Sequence, residues 1–285
     1  MGQTKSRFRQ FTDQQWERIE PLLPSNAGRQ GHPFRDNRKI VEAIIYRYRA
    51  GIPWRDLPRD EYGAWQTVWK RHARYARDGT WDRILHVILA DADAAGKIDW
   101  NVSVDATICR AHQHGTNTTR PDQDTGGQVE SPRTDPSGTV NPQVANVVTG
   151  GQRNDGAMLA EVLADIHVPR LGRGRPRTRP DAVIADKAYS SGTIRRQLRS
   201  RGIAAVIPEK SDTIDARARR GRRGGRPPKL DVDLYRGRNV VERSFALAKQ
   251  WRALATRYDK LAITYRAAVT LCAILTWLRH LGETP

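Results

Sequence analysis

The chain has 285 residues, a length that at roughly 150 residues per domain points to about two domains. Lys and Arg number 49 against 31 Asp and Glu, a formal net charge of +18, so the expected partner is a polyanion, either nucleic acid or a membrane surface. With 38% hydrophobic residues, eight Trp and two Cys, the composition excludes a chain disordered throughout, a disulfide scaffold and a four-thiolate zinc site.

Two thiols suit a reducing cytoplasm. The longest apolar stretch, Ala267 to Leu278, is twelve residues, whereas a membrane span needs roughly 20. The N-terminus MGQTKSRFRQ lacks the apolar run of a secretory signal. It fits the loose myristoylation pattern through Gly2 and Ser6, but nothing else points to a membrane.

Residues 12–96 read as helical. Thr12 with Gln15 starts a first helix as a capping box, and Trp16, Ile19 and Leu23 share a face. Asp36 caps a second, with the stripe Ile40, Val41, Ile44, Ile45 and Tyr48, closed by Gly51. A third, about Gly63 to Arg77, is expected to bury Trp65, Val68, Trp69, Ala73 and Ala76. Its other face then carries Gln66, Lys70, Arg71, Arg74 and Arg77. A fourth starts at Thr80.

At Gly96 the period changes from 3.6 to 2. Ile98, Trp100, Val102 and Val104 alternate with polar residues, so a half-buried strand ends at Asp105. Residues 115–142 are polar, without period, and read as an irregular loop. A short possible strand (Gln143 to Val148), a helix (Asp155 to His167) and a basic loop follow. Ala182 to Ala185 reads as a buried strand ending at Asp186. Ser191 opens another helix, and Ile203 to Ile207 is an apolar strand. A second basic loop, ARARRGRRGGRPPK, precedes one long helix from about Leu234. A last helix spans about Ala262 to Leu281. Strands separated by helices argue for an α/β second domain.

Three carboxylates stand out by position: Asp105 and Asp186 at strand ends, and Glu242 inside the long helix. Brought together they would need cations. Two divalent ions would supply these and serve phosphoryl transfer, and an oxygen donor set suits Mg²⁺ or Mn²⁺ better than zinc. A strand-end Asp is, however, commonly a cap, and a helical Glu commonly the solvated partner of a cation. On a continuous helix Tyr235, Arg238, Glu242 and Lys249 fall within an arc of about 60°, either around a phosphate-binding carboxylate or as a row of surface ion pairs.

The run YRGRNVVERSFALAKQWRALATRYDK has the spacing Tyr-x2-Arg-x3-Glu-x6-Lys. It resembles the signature helix of bacterial DDE transposases of the insertion-sequence-four and -five superfamily. VDATICRAHQH and IADKAYSS resemble the segments carrying that family's two aspartates. LPSNAGRQGHPFRDNRKIVEAIIYRYRAGIPWRDLP resembles the helical domain that precedes the catalytic domain in the insertion-sequence-five group.

The resemblance implies an all-α, helix-turn-helix-like DNA-binding domain over 1–96 and an α/β RNase H-like catalytic domain over 97–285. It implies Asp105, Asp186 and Glu242 as the catalytic, metal-holding triad with two Mg²⁺ or Mn²⁺ ions. Tyr235, Arg238 and Lys249 would contact the transposon end. The expected partners are double-stranded DNA, both ends and target, and further copies of the chain, because two ends must be joined. Metal-dependent strand cleavage and transfer in the cytoplasm, on the nucleoid, is the implied activity. Such a domain continues its first strand into a second and third, antiparallel to it. Residues 115–142 lack the alternation for a strand, so a sheet missing its second strand is expected. The alternatives are a degenerate, inactive DNA-binding remnant and a general RNase H-like nuclease.

Three further features are read with the others. Gln66, Lys70, Arg71 and Arg74 form a candidate DNA-recognition face, or a solvated one. Cys109, His112 and His114 have metal-like spacing but no plain fourth ligand. GRGRPR and GRRGGRPPK could enter an A·T-rich minor groove, but read better as solvated basic linkers.

Overall fold

The structure is a computed structural model and describes residues 10–25, 36–107, 109–111, 143–148 and 155–282. These form two compact units. The first takes the described residues up to Ala95, those from Cys109 to Ala111, and the chain from Leu247 onward. The second takes Gly96 to Thr107 and the described residues from Gln143 to Ala246.

The first unit is helical. Helix α1 (Asp13–Ile19) starts at the expected capping box: the Gln15 N–H donates to Thr12 Oγ1 at 3.2 Å, and the Thr12 N–H to Gln15 Oε1 at 3.1 Å. Helix α2 (Asn37–Ala50) is capped by Asp36, which accepts from the N–H groups of Arg38 and Lys39. It closes at Gly51, where φ is +71° and an added Cβ would lie 2.7 Å from Cβ of Arg252. Conformation and packing both require glycine there. Helices α3 (Arg59–Tyr62), α4 (Trp65–Arg77) and α5 (Thr80–Ala94) follow.

Residues 247–282, expected within the sheet-bearing domain, pack here with the N-terminal helices. Helix α11 (Arg252–Ala255) lies on α2, and strand β5 (Thr256–Arg257) pairs in parallel with β2 (Arg110–Ala111). Helix α12 (Ala262–Gly282) packs along α5 and α4 and buries most of its circumference. The apolar run Ala267 to Leu278 is therefore core, as expected of a helix apolar nearly all round. No helix among the described residues is long and apolar enough to cross a membrane.

A charged pair lies inside this unit. Arg47 and Asp259, with side chains 3% and 5% exposed, meet at 3.4 Å. The Arg47 guanidinium lies between the rings of Tyr48 and Trp54, 4.5 and 4.7 Å from their centroids. Burial, with the charge of Asp259 beside it, pushes the Tyr48 phenol well up. It stays protonated, and its hydroxyl is hydrogen-bonded with Nε2 of His72 at 3.0 Å. Burial, with the nearby Arg47 charge, holds His72 down at about 3, so it is neutral.

The second unit holds a three-stranded parallel sheet, order β1-β3-β4, of β1 (Asn101–Val104), β3 (Ala182–Ala185) and β4 (Ala204–Val206). Val104 stands opposite Ala185, and Ile184 opposite Val206. β3 is buried along its whole length, as its unbroken apolar run requires of a central strand. Around the sheet run α6 (Asp155–Asp165), α7 (Gly192–Ser200), α8 (Ser211–Arg219), α9 (Val232–Arg236) and the start of α10 (Asn239–Lys249). Ser191 caps α7 as expected.

Four expectations need correction. Gln143 to Val148 form no strand. Part of the second basic loop is α8 and a 3-10 turn, Gly221–Gly224. The long helix from Leu234 is two, α9 and α10, because residues 234–241 close i to i−3 bonds: Gly237 N–H to Leu234 O and Arg238 N–H to Tyr235 O, both 3.1 Å. Trp69 is 40% exposed rather than buried. The segment 115–142 lies outside the described residues. Among those described, β1 has no pairing on its other edge.

Two outcomes follow for the helical unit. Asp259→Ala leaves Arg47 a buried charge without a partner and should cost about 3–5 kcal/mol, read by urea unfolding. His72 has a folded pKa below its ordinary 6.5, so the unfolded chain takes up the proton first and stability falls as pH drops from 6.5 toward 3. His72→Gln should flatten that fall between pH 7 and 5.

Candidate active site

Asp105 directly follows Val104, and Asp186 directly follows Ala185, the facing residue on β3. Neighbouring parallel strands lie roughly 4.8 Å apart. In-register pairing therefore delivers both aspartates to one edge of the sheet, the C-terminal one. Each carboxylate accepts a local backbone bond. Asp105 Oδ1 takes the Ala106 N–H at 2.9 Å. Asp186 Oδ1 takes the Ala188 N–H at 2.8 Å, capping the 3-10 turn Lys187–Tyr189.

Glu242 lies in the first turn of α10, 45% exposed at its side chain. The guanidinium of Arg238 joins it to the sheet: Nη2 donates to Glu242 Oε1 at 2.9 Å and to Asp105 Oδ2 at 3.4 Å. Burial works against the charge of Arg238, but Tyr235, Asp105 and Glu242 outweigh it and raise its pKa. Nε of Arg238 is buried and has no partner among the described residues. Tyr235 packs against the cluster of Ala182, Ile184 and Val206.

Tyr235, Arg238 and Glu242 thus come together, but not as one helical face. Tyr235 ends on α9, Arg238 lies in the tightened passage, and Glu242 is on α10. The expected 60° arc assumed 100° per residue throughout, and the i to i−3 bonds break that rule. At Gly237 the backbone is helical, and an added Cβ would make a close contact with Leu234 O at 3.2 Å. Lys249 is the exposed last residue of α10.

Among the described residues no group of three His, Cys, Asp or Glu side chains is arranged to hold a metal ion. Arg238 occupies Asp105 and Glu242, and Asp186 is engaged as a cap. The donor chemistry nevertheless fits a hard divalent cation. Asp105 and Glu242 share one guanidinium and Asp186 emerges from the same sheet edge, so negative charge is left over there, and every donor is oxygen.

On α4, Gln66, Lys70 and Arg74 are exposed as expected, with Arg74 pairing to Asp78 at 3.7 Å. Arg71 is not. It is 8% exposed, donates to Asn37 Oδ1 at 2.8 Å, and lies over the ring of Tyr75. Val68, Arg71 and Tyr75 share the i, i+3, i+7 stripe that faces the core. The helix is rotated from the expected orientation, which is why Trp69 lies outside and Arg71 inside. Of the possible zinc ligands, Cys109 is half-buried, and His112 and His114 lie outside the described residues.

The contact of Arg238 with Asp105 is the feature that sequence reasoning missed. The i, i+4 spacing to Glu242 is legible; a partner 133 residues away is not. In the first basic run, Arg177 stacks on Trp100 at 3.9 Å and pairs with Asp181, so one cation there has a packing role.

Residues 98–277 match the family described as "Transposase DDE domain", and residues 11–85 match "Putative transposase of IS4/5 family". "Uncharacterized protein y4sN" of Sinorhizobium fredii is 35% identical over 108 residues, 38% of this chain and 82% of that protein. "Insertion element IS402 uncharacterized 16.2 kDa protein" of Burkholderia cepacia is 36% identical over 105 residues, 35% of this chain and 71% of that protein. "Putative transposase for insertion sequence element IS402" of the same organism is 34% identical over 145 residues, 50% of this chain and 60% of that protein. No solved structure matches the chain.

Asp186 has a structural task separable from any chemical one. Asp186→Asn keeps a cap acceptor and should leave stability nearly unchanged, whereas Asp186→Ala should cost about 1 kcal/mol in urea unfolding.

Proposed function

Because the chain belongs to the DDE transposases of the IS4/5 type, we propose that it binds the terminal inverted repeats of its own insertion sequence and cuts and rejoins DNA there. The observation that carries the reading is the Arg238 guanidinium between Asp105 and Glu242, at the sheet edge from which Asp186 also emerges. The parallel sheet β1-β3-β4 is read as part of an RNase H-like catalytic domain over 97–285. Residues 1–96 are read as the DNA-binding domain.

DDE transposases use divalent metal ions. Here Asp105, Asp186 and Glu242 would hold two, Mg²⁺ or Mn²⁺. When bound, the ions supply Lewis acidity to the scissile phosphate and its leaving oxygen. The chain's own residues position the substrate. Arg238 keeps the two carboxylates in register and presents the accessible part of its guanidinium to a phosphate oxygen. Tyr235 and Lys249 contact the transposon end on either side of Glu242, aligning the phosphodiester for in-line attack. A 3′-OH freed by cleavage then attacks a target phosphodiester in the same geometry, with no covalent protein intermediate. On α4, Gln66, Lys70 and Arg74 reach the DNA, while Arg71 orients the helix from within. Two ends must be held together, so the working form is a homo-oligomer on DNA.

The test places the flanking inverted repeats on a plasmid and follows Mg²⁺- or Mn²⁺-dependent strand cleavage. Wild type should cut at the repeats. Glu242→Gln, which still accepts from Arg238, should lose cleavage by at least 100-fold, roughly the scale of losing a transition-state contact, and keep DNA affinity. Cleavage by the variant at the wild-type rate would sink the assignment of Glu242. Specific binding with no cleavage by wild type would make the protein a DNA-binding remnant.

A further inference from the structure

We propose that residues 208–229 are a folded lobe that grips the phosphate backbone of duplex DNA, without reading sequence, beside the edge that carries Asp105 and Asp186. The choice of DNA as the polyanion rests on the transposase reading. The existence of the lobe does not.

The lobe's position follows from the sheet. All three strands are parallel, so β4 ends at the same edge as β1 and β3. The chain leaves that edge after Ile207, which is buried and whose carbonyl accepts from Arg195 Nη2 at 2.6 Å. It returns at Leu230, which packs against Ala182, Ile184 and Val206. Both ends are thus anchored on the core under the site.

A solvated linker would not have the fold seen between them. Helix α8 packs against the 3-10 turn Gly221–Gly224. An added Cβ on Gly224 would stand 2.3 Å from the carbonyl oxygen of Arg217. That oxygen is backbone and cannot swing aside, so only glycine lets the turn lie so close. Glu209 pairs with Arg217 at the base, both side chains largely covered.

Asp212 and Asp215 stand on α8, and after Asp215 the charge is one-sided. Arg219, Arg220, Arg222, Arg223, Arg226 and Lys229 are all exposed, and no Asp or Glu occurs between Asp215 and Asp231. None of the six has a carboxylate within ion-pair distance among the described residues. Six like charges between Arg219 and Lys229 repel one another, a cost that a polyanion relieves. Five of them are Arg, whose planar fork matches phosphate oxygens bidentately. Contacts of this kind position a duplex and carry no sequence information. Ile214 is the only large hydrophobic side chain exposed on α8, which is too little to enter a lipid surface.

The test uses the full chain and fluorescence anisotropy over a salt series, on one duplex with the inverted repeats and one without. Changing Arg219, Arg220, Arg222 and Arg223 together to Gln should lower the slope of log affinity against log salt by about 3 to 4, at roughly 0.9 for each phosphate no longer neutralised. The reduction should be equal on both duplexes. The same four changed to Lys should keep the slope, which separates charge from folding. An unchanged slope with Gln, a reduction confined to one duplex, or a reduction shared by the Lys variant would each overturn the lobe. So would an effect seen only on vesicles of anionic lipid. Cleavage is followed in parallel. Cleavage by wild type with an unchanged slope removes the lobe alone, whereas the slope change without cleavage supports the lobe and removes the transposase reading.

Discussion

The in-register parallel pairing of β1, β3 and β4 holds the site together. Val104 faces Ala185 and Ile184 faces Val206, so three strands separated by long stretches of chain end at one edge. A slip of one residue would exchange the two faces of β3, both buried, and carry Asp186 away from Asp105. The cost of repacking Val183 and its neighbours therefore also protects the spacing of the carboxylates. From the same edge the chain departs into the basic lobe, and it returns through Leu230 onto the sheet, with Tyr235 packed over the same core.

Charge is handled differently in different places. At the edge, carboxylates are compensated locally: one guanidinium for Asp105 and Glu242, one backbone N–H for Asp186. In the helical unit, Arg47 and Arg71 are turned inward and stacked on aromatic rings. The first pairs with Asp259 and the second bonds Asn37. In the lobe Arg217 pairs with Glu209, and the cations from Arg219 to Lys229 are left in solvent without acidic partners among the described residues. A net charge of +18 is thus neither spread evenly nor wholly external. Among the described residues, the run from Arg219 to Lys229 carries six cations with no carboxylate in ion-pair range.

Much of this was legible in the sequence where the controlling physics is local. The capping box at Thr12, the Asp36 and Ser191 caps, the Gly51 stop and the buried run of β3 all depend on residues within a turn or a strand of each other. Asp105 and Asp186 were legible as strand ends for the same reason. What was misread shares an opposite cause. Trp69 and Arg71 were assigned by hydrophobicity, yet the helix offers Val68, Arg71 and Tyr75 to its neighbours, because Arg71 gains a ring and an amide partner there that solvent would not supply. The tightened passage at Gly237 breaks the 3.6 period on which the face of Tyr235, Arg238, Glu242 and Lys249 was drawn.

Most helix boundaries, the buried strands, the excess of cations and the resemblance that names Asp105, Asp186 and Glu242 can all be read from the order of residues alone. Three features cannot. Arg238 joins Asp105 to Glu242, residues after 247 complete the helical unit, and a basic run folds as a lobe rather than a linker. Propensity, capping and periodicity act over a few residues, so they leave their mark in short stretches of chain. Pairing between segments more than a hundred residues apart depends on which surfaces bury one another, and that is settled only when the whole chain packs.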